Sequence, residues 1–277
     1  MNVDEYIKQA LEEDLGDGDH TSLSTIPEGK MGSAQLLVKQ EGILAGVEVA
    51  QKVFKAVDPD TEMEVMMKDG AAIKAGDIAF KVSGRSVSLL SAERLALNFM
   101  QRMSGIATYT HYLSSLLDGL HTRLLDTRKT TPNFRYFEKE AVRIGGGMNH
   151  RMGLYDMIMI KDNHVDFANG ISNAIRATKK YLEEKGKNLK IEIEVRNLKE
   201  LREVMETRGV DRIMFDNFSI ADMEAAVGMV DSKYETEASG GITEETLREV
   251  AETGVDFISV GALTHHVRSL DLSLKAI

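Results

Sequence analysis

The chain has 277 residues, of which 43% are hydrophobic and 28% charged, and its formal net charge is −10. This acidic balance argues against broad binding to nucleic acids or membrane surfaces, because both are themselves negatively charged. The absence of cysteine excludes disulfides and thiolate metal sites. With no apolar run of the roughly 18 residues that span a bilayer and no secretory signal pattern, we expect a cytoplasmic protein.

The chain before about residue 110 has the pattern of an α+β domain. Val3–Leu15 and Val47–Val57 carry apolar residues at helical spacing. Residues 34–44 and 62–90 contain short apolar runs separated by glycine, which is typical of antiparallel strands. We therefore predict an N-terminal α+β domain over residues 1–110.

A long helix is predicted over residues 91–117, with Ser91 as its N-cap. Polar or small residues recur on it at i, i+4, i+7, i+11 and i+14 and form one stripe, which consists of Arg94, Asn98, Gln101, Gly105 and Thr108. A solvated helix face usually carries a mixture of Lys and Glu. The stripe therefore has two interpretations, a solvated face or a surface that faces a second subunit or a binding site.

From about residue 120, apolar runs alternate with helical patterns, which indicates βα units and a parallel sheet. The runs cover residues 123–126, 157–160, 190–195, 212–215, 234–238 and 257–260. Six or seven units are too few for a regular eight-stranded barrel, so we predict an incomplete β/α barrel over residues 111–265. A doubly wound sheet is the alternative. The last residues are expected to form a short helix and a tail, 266–277, that packs on the first domain.

Polar or glycine residues follow all six runs, at the ends that form the active-site face of β/α barrels. The cationic groups at those ends, or beside the glycines at 145–147, are Arg128, Lys129, His150, Arg151 and Lys161. Arginine binds carboxylates and phosphates through two parallel hydrogen bonds, and lysine adds a point charge. This cluster predicts a pocket for a ligand with several negative groups.

Another helix is predicted to start at Pro132, whose ring suits a first helical position. Three cations spaced by four residues share one side of it, namely Arg135, Lys139 and Arg143. We predict that Lys139 is solvated and paired with Glu138 and Glu140.

Two carboxylates and two glycine loops complete the set of strand-end residues. Glu194 and Asp216 offer oxygen ligands that suit Mg²⁺, or that can instead accept hydrogen bonds from ribose hydroxyls. The loops after the last two strands each precede a predicted helix, and such loops are the usual phosphate sites of β/α barrels. We expect a phosphorylated ligand to be held by Ser239, Gly240, Gly241, Gly261, Ala262 and Leu263.

Ordered motifs along nearly the whole chain carry a family resemblance. They are ALEEDLGDGDHTS, ERLALNFMQRMSGIAT, DTRKTTPNFR, EKEAVRIGGGMNHRMGLYD, IMIKDNHV, IEIEV, MFDN, EASGGI and TGVDFISVGALTH. The chain resembles the quinolinate phosphoribosyltransferase family, also called nicotinate-nucleotide pyrophosphorylase (carboxylating). It departs from the family pattern at Asn133–Phe134, where a Gly–Leu pair is common, and at Glu140, where a larger residue is usual.

The resemblance implies a reaction and a set of partners. Phosphoribosyl would pass from phosphoribosyl pyrophosphate to quinolinate with loss of CO₂, which gives nicotinate mononucleotide for NAD biosynthesis. The resemblance implies Mg²⁺ as a cofactor and homodimers that share their active sites, and it leaves open whether the dimers assemble further into hexamers. The substrates are small molecules, and neither nucleic acid nor membrane is a partner.

The resemblance also implies roles for the matched residues. Quinolinate's carboxylates and the pyrophosphate would lie against Thr127, Arg128, Lys129, His150, Arg151 and Lys161, with Arg94 supplied by the partner subunit. Glu194 and Asp216 would serve Mg²⁺ and the ribose, and the two glycine loops would hold the 5-phosphate. The implied catalytic residues are Lys129, Lys161, Glu194 and Asp216.

Three other functions remain as alternatives. A related protein linked to molybdate transport is similar around TRKT and HR but not through KDNH, so the intact IMIKDNHV favours the quinolinate enzyme. A Schiff-base aldolase would use Lys161 as its nucleophile, but the neighbouring cations include no obvious proton-transfer partner. A non-catalytic binding protein would hold phosphoribosyl pyrophosphate without releasing pyrophosphate.

Overall fold

The computed structural model describes residues 2–277. The helices are α1 Val3–Leu15, α2 His20–Thr25, α3 Val47–Val57, α4 Ser86–Ser115, α5 Arg135–Ile144, α6 Asp162–Phe167, α7 Ile171–Lys185, α8 Leu198–Thr207, α9 Ile220–Val230, α10 Glu244–Glu252 and α11 Ala262–His265. The strands are β1 Met31–Val38, β2 Gly42–Ile43, β3 Glu62–Val65, β4 Ala72–Ile73, β5 Ile78–Arg85, β6 Arg123–Leu125, β7 Ile158–Ile160, β8 Ile191–Val195, β9 Arg212–Asp216, β10 Glu235–Ser239, β11 Phe257–Ser259 and β12 Leu272–Ala276. Within residues 2–277 we find no helix with the length and apolarity needed to cross a membrane.

The chain forms two compact units. The first comprises the chain up to His111 together with Thr130–Gly146 and Leu263–Ile277, and the second comprises Tyr112–Lys129 and Gly147–Ala262. This division differs from the predicted domain boundaries at residues 263–265 and at α5, both of which belong to the first unit. The placement of α5 is the larger difference. The reason is its aromatic packing, since the ring of Phe137 lies 4.7 Å from that of Phe99 and 5.1 Å from that of Tyr6.

The first unit is built around an antiparallel sheet in the order β12-β1-β5-β3, with a separate β2-β4 pair. Strand β12 lies at the edge, and its register runs from Leu272 opposite Val38 to Ala276 opposite Ala34. The C-terminal tail therefore forms a strand of the first unit's sheet.

The second unit contains six parallel strands in the order β6-β11-β10-β9-β8-β7. Consecutive strands are neighbours, and β11 returns to the side of β6, which is the cyclic order of a barrel. An isolated parallel bridge between Leu125 and Met148 extends the sheet beyond β6. The predicted incomplete β/α barrel is thus confirmed, and the doubly wound alternative is wrong because the strand order never reverses.

Helix α4 differs from its prediction in two ways. It begins at Ser86, so Ser91 lies inside the helix and is not its N-cap. Three of the five stripe residues pack within the first unit. Gln101 donates to the Leu272 carbonyl at 2.9 Å, Thr108 accepts from the Ile43 amide at 2.8 Å, and a Cβ on Gly105 would lie 2.2 Å from the Arg268 carbonyl oxygen. Only Arg94 and Asn98, at the N-terminal end of the stripe, are exposed.

Helix α5 begins at Arg135, three residues later than predicted, because a turn follows Pro132. In that turn Asn133 has φ +62°, a left-handed conformation that glycine and asparagine adopt most readily. This explains why Asn is accepted where the family commonly has Gly. The predicted solvation of Lys139 is wrong, since Lys139 and Glu138 are both fully buried.

The buried carboxylate of Glu138 fixes the chain just after the basic motif. It accepts hydrogen bonds from the Arg102 guanidinium at 2.8 Å and from the backbone amide of Thr131 at 3.0 Å. The Thr131 hydroxyl donates to the same carboxylate at 2.9 Å. A carboxylate with this many donors holds residues 131 and 138 in one geometry.

Candidate active site

A pocket of about 350 Å³ opens at the carboxyl ends of the barrel strands, within the second unit. Its lining residues are Thr127, Arg128, Lys129, His150, Arg151, Met159, Lys161, Met214, Glu237, Ser239 and Ser259. The structure therefore brings together all five cationic groups of the predicted cluster, along with Thr127 and Ser239.

The cations at the two ends of the sheet are placed by short turns. Arg128 and Lys129 follow β6, and the Lys129 amide donates to the Thr127 hydroxyl at 3.0 Å. Lys161 follows β7 directly and is the N-cap of α6, where its amide donates to His164 Nδ1 at 2.9 Å. Each strand thus delivers its basic residue at the point where the backbone turns away from the sheet.

His150 is held by residues of the same unit. Its backbone amide donates to Asp126 Oδ1 at 2.8 Å, which ties the loop before β7 to the end of β6. Its ring Nδ1 accepts the backbone N–H of Arg151 at 2.7 Å. Its Nε2 lies 3.0 Å from Glu192 Oε2 and 3.4 Å from Glu237 Oε2.

These contacts act on the His150 ring in opposite directions. Burial lowers the pKa of the imidazole, but the carboxylates of Glu192 and Glu237 outweigh it and raise the pKa from 6.5 to about 9. The Arg151 amide opposes the charged form, because Nδ1 accepts a hydrogen bond only while it carries no proton. In the neutral ring with this bond intact, the proton is on Nε2 and points toward the carboxylates.

The two glutamates beneath the pocket have different environments. Burial and the charge of Glu237 raise the pKa of Glu192. Burial also opposes ionisation of Glu237, but hydrogen bonds and charges from His150 and Arg212 lower its pKa below the usual value. The difference follows from distance, since Arg212 Nη1 is 3.1 Å from Glu237 and 4.0 Å from Glu192.

Arg151 shows that the pocket holds an excess of positive charge. Burial lowers the pKa of its guanidinium, and the nearby charge of Arg128 lowers it further. Its Nη1 donates to the Met157 carbonyl at 3.3 Å, and its Nη2 lies 3.7 Å from the Met159 sulfur. An anion that enters the pocket would relieve the repulsion between the two arginines.

Glu194 and Asp216 do not line this pocket, but each lies at the carboxyl end of its strand. Glu194 is nearly buried and accepts from Lys161 Nζ at 3.0 Å, and Asp216 accepts from the Asn217 side-chain amide at 2.9 Å. Strand register pairs Glu194 with Met214, so these two side chains are on the same face of the sheet. Asp216 follows Met214 by two residues on β9 and is therefore on that face as well. Two carboxylates on one face fit Mg²⁺, which takes one or two together with substrate phosphates.

The two predicted phosphate loops differ in how they are built. Gly240 has φ +97°, and a Cβ there would lie 2.3 Å from Asn217 Oδ1, so this position requires glycine. Gly241, at φ +61°, is exposed, and Gly261 and Ala262 are half-buried. The side chain of Leu263 is fully buried, and its predicted role, which rests on the backbone of this loop, stays a prediction.

Arg94 is exposed on α4 in the first unit and does not line the pocket. The predicted assignment to a partner subunit stays a prediction.

Four residues of the pocket were missed by the sequence analysis. They are Met159, Met214, Glu237 and Ser259. All lie inside the apolar runs rather than after them, where they look like core residues. The period-two alternation of a strand is the signal that could have found them, since Met159, for example, precedes Lys161 by two residues.

Comparisons with known proteins agree with this geometry. A family model described as "Quinolinate phosphoribosyl transferase, N-terminal domain" matches residues 19–104, and the corresponding C-terminal domain model matches residues 106–275. The chloroplastic nicotinate-nucleotide pyrophosphorylase (carboxylating) of Arabidopsis thaliana is 46% identical over 285 residues, which cover 97% of this chain and 81% of the relative. A probable nicotinate-nucleotide pyrophosphorylase of Bacillus subtilis is 43% identical over 262 residues, covering 95% and 89%.

Among solved structures, the nicotinate-nucleotide pyrophosphorylase from Francisella tularensis superposes with a TM-score of 0.93 at 40% identity, covering 99% of this chain and 96% of that one. Together with these relatives, the incomplete barrel and its pocket identify the chain as a phosphoribosyltransferase that acts on small molecules. The two family models together match most of the chain, and the chain belongs to the quinolinate phosphoribosyltransferase family.

We predict that the imidazole of His150 titrates near pH 9, measured by NMR on protein with ¹⁵N-labelled histidine and assigned with His150→Gln. Because the folded-state pKa is raised, the stability contributed by this ion pair is complete below pH 6.5 and is lost as the pH rises through about 9. A midpoint at or below 6.5 would show instead that the bond from the Arg151 amide keeps the ring neutral.

Proposed function

We propose that this chain transfers the phosphoribosyl group of phosphoribosyl pyrophosphate to quinolinate, with release of pyrophosphate and CO₂, and so produces nicotinate mononucleotide. The observation that carries the proposal is the pocket in which Arg128, Lys129, His150, Arg151 and Lys161 converge inside a chain of net charge −10. The similarity to enzymes named for this reaction supports it.

The chemistry of the substrates matches the pocket. Quinolinate carries two carboxylates, and the leaving group is a pyrophosphate, so both need charge-assisted hydrogen bonds. Arginine and lysine side chains held by the protein provide them without reorganisation at the moment of reaction. A volume of about 350 Å³ accommodates a small aromatic acid beside a phosphorylated sugar's reacting end.

Positioning and electrostatics are sufficient for the reaction. The pyridine nitrogen of quinolinate forms a bond to ribose C1 while the bond from C1 to pyrophosphate breaks, through a transition state with oxocarbenium character. Glu194 and Asp216 would stabilise the positive charge on the sugar, and the cations, with Lys129 and Lys161 foremost, the negative charge on the leaving group.

Decarboxylation follows from the new positive charge on the ring. When the bond between C2 and its carboxylate breaks and CO₂ leaves, the bonding pair stays on C2 as an ylide that the adjacent positive nitrogen stabilises, and C2 then takes up a proton from solvent. No covalent bond to the enzyme is required, so Lys161 acts as a charge and not as a Schiff-base nucleophile.

The remaining predicted residues bind the sugar phosphate. We propose that the backbone amides of Gly240, Gly241, Gly261 and Ala262, with the Ser239 hydroxyl, hold the 5-phosphate. Gly240 supports this, because its positive φ and the clash of a Cβ with Asn217 require glycine there, and glycine-rich turns expose the backbone amides that bind phosphate.

Removal of a single pocket cation should lower turnover strongly. Arg128→Ala and Lys161→Ala are each expected to reduce kcat/KM with quinolinate by about 10²-fold or more, as measured from nicotinate mononucleotide and CO₂ formation. Lys180→Ala, on the exposed face of α7, is the matched control and should keep wild-type activity.

Near-normal activity of either purified variant would contradict the pocket assignment. The substrate is tested in the same assay by supplying nicotinate in place of quinolinate. Product from nicotinate but not from quinolinate would overturn the assignment of quinolinate as the substrate. Covalent trapping of a carbonyl substrate by borohydride would favour the aldolase. Binding of phosphoribosyl pyrophosphate without release of pyrophosphate would favour a binding protein.

We also propose Mg²⁺ as the cofactor, held by Glu194 and Asp216 together with substrate oxygens. When bound, the ion would neutralise charge on the leaving pyrophosphate. Chelation with EDTA should abolish activity and Mg²⁺ should restore it. Glu194→Gln and Asp216→Asn should raise the Mg²⁺ concentration needed for half-maximal activity, and unchanged Mg²⁺ dependence in both would favour direct contact of these carboxylates with ribose hydroxyls.

We further propose that two copies of the chain form a dimer, or dimers within a hexamer, in which Arg94 completes the partner's pocket. Arg94 is exposed and far in sequence from the other cations, which supports this role. Arg94→Ala and Lys161→Ala subunits, each inactive alone, should regain about a quarter of wild-type activity when refolded together, because random pairing restores one site in half of the dimers. No recovery in mixed dimers would contradict a shared site.

The cytoplasmic location stays a prediction. The Arabidopsis relative is named as chloroplastic, so family membership does not decide the compartment.

A further inference from the structure

Beneath the pocket, charged side chains lie on the inner face of the strands and belong to none of the predicted site sets. Glu192 on β8 and Glu237 on β10 are fully buried, and Arg212 on β9 is 8% exposed. Strand register places Glu192 opposite Arg212, so these side chains share one face of the sheet. Buried charges are retained only when opposite charges compensate them at short range.

Arg212 is a fixed counter-ion for this cluster. Its Nη1 donates to Glu237 at 3.1 Å, and its Nε and Nη2 donate to Glu235 at 3.2 and 3.0 Å. Its guanidinium carbon lies 4.1 Å above the centre of the Phe257 ring. Hydrogen bonds on two sides and an aromatic face on a third leave the guanidinium one orientation.

His150 is the point at which the cluster meets the pocket. The Glu192 carboxylate lies 3.0 Å from His150 Nε2 and 4.0 Å from Arg212 Nη1, so the His150 ring is the nearer of these two neighbours. Glu237 faces the same nitrogen at 3.4 Å. The two carboxylates therefore determine which way the imidazole edge points.

The orientation of the His150 ring in turn fixes the position of the Arg151 backbone. The Arg151 amide donates to His150 Nδ1 at 2.7 Å, so rotation of the ring would move the backbone from which the Arg151 side chain enters the pocket. The guanidinium itself has weaker supports, at 3.3 Å from the Met157 carbonyl and 3.7 Å from the Met159 sulfur. Without the ring contact, little would hold this arginine at its anion-binding position.

We propose that Glu192 and Glu237 are positioning residues for the substrate pocket, which fix the His150 ring through Nε2 and thereby aim Arg151 at the substrate's carboxylates. The inference rests on the proposed function, since it assigns a role within the quinolinate site. It adds Arg212 as the counter-ion that allows two carboxylates to remain side by side beneath that site.

The same three residues resemble a metal site, because ligand atoms of His150, Glu192 and Glu237 lie within 4.8 Å of one another. The hydrogen bond to Nδ1 argues against it. A metal on Nε2 would leave the proton on Nδ1, where it would face the Arg151 N–H at 2.7 Å, donor against donor. With the proton on Nε2, the ring and the carboxylates complete each other without an ion.

The test compares Glu192→Gln and Glu237→Gln with Glu235→Gln. Each change removes one carboxylate charge, and Glu235 bonds the same Arg212 without touching His150. We expect Glu192→Gln and Glu237→Gln to raise KM for quinolinate about 10- to 100-fold with a smaller change in kcat, because a displaced Arg151 weakens binding. Glu235→Gln should keep the wild-type KM, and thermal unfolding of all three checks that they are folded.

The outcomes separate this inference from the proposed function. Wild-type protein that makes no nicotinate mononucleotide would refute the function itself. If the wild type is active and all three variants keep the wild-type KM for quinolinate, the positioning role alone is refuted. It is also refuted if KM rises as much in Glu235→Gln as in Glu192→Gln and Glu237→Gln. Stoichiometric metal retained by wild-type protein and lost in Glu192→Gln, measured by elemental analysis, would replace it with a metal site.

A measurement on the unaltered protein keeps the inference testable if the glutamine variants do not fold. At a pH above the titration midpoint of the ring, the ¹⁵N shifts of His150 should report the neutral ring protonated at Nε2, which directs an N–H toward the carboxylates while Nδ1 accepts from the Arg151 amide. A neutral ring protonated at Nδ1 would direct a lone pair at Glu192 and Glu237, and would overturn the proposal.

Discussion

A charge buried inside a β/α barrel must be balanced at short range, and the arrangement of this site follows from that constraint. Glu192, Arg212 and Glu237 occupy one face of three neighbouring strands, and their charges are matched within 3.0 to 4.0 Å by one another and by His150. Loss of any one member would leave another uncompensated. The floor of the pocket is consequently charged but held in one arrangement, and the cations that face the ligand lie above it.

The upper part of the pocket, in contrast, carries an excess of positive charge. Arg128, Lys129 and Arg151 line it, and the repulsion from Arg128 helps to lower the pKa of Arg151. An entering anion forms hydrogen bonds and removes that repulsion at the same time. The acidic remainder of the chain interferes little, because surface charges more than about 10 Å away are screened at physiological salt. A protein of net charge −10 can therefore bind strongly anionic substrates.

The parts of this site that could be predicted are those that end an apolar run. Each predicted barrel strand agrees with the observed one to within a residue at either end, because alternating apolar runs and helical patterns are strong signals. Met214 and Glu237 were missed because a residue inside such a run looks like core until the register is known. Lys139 was misplaced because helical spacing shows which residues share a side but not which side is buried. Gly240 was predicted as part of a ligand-binding loop. Its contact with Asn217 could not be predicted, because that contact depends on tertiary structure.

The ion pair between Lys161 and Glu194 links the two halves of the proposed reaction. These side chains are 3.0 Å apart and neutralise each other. A substrate carboxylate that bound Lys161 would remove the partner of Glu194. Because a nearly buried carboxylate without a partner is unfavourable, such binding has a low free-energy cost only if Glu194 gains another positive partner. In the proposed reaction that partner would be Mg²⁺ bound with phosphoribosyl pyrophosphate, or the ribose as it gains oxocarbenium character. With Lys161 and Glu194 in their proposed roles, the pair would couple binding of quinolinate to binding of the phosphoribosyl donor, because each substrate would supply the charge that the other leaves unbalanced.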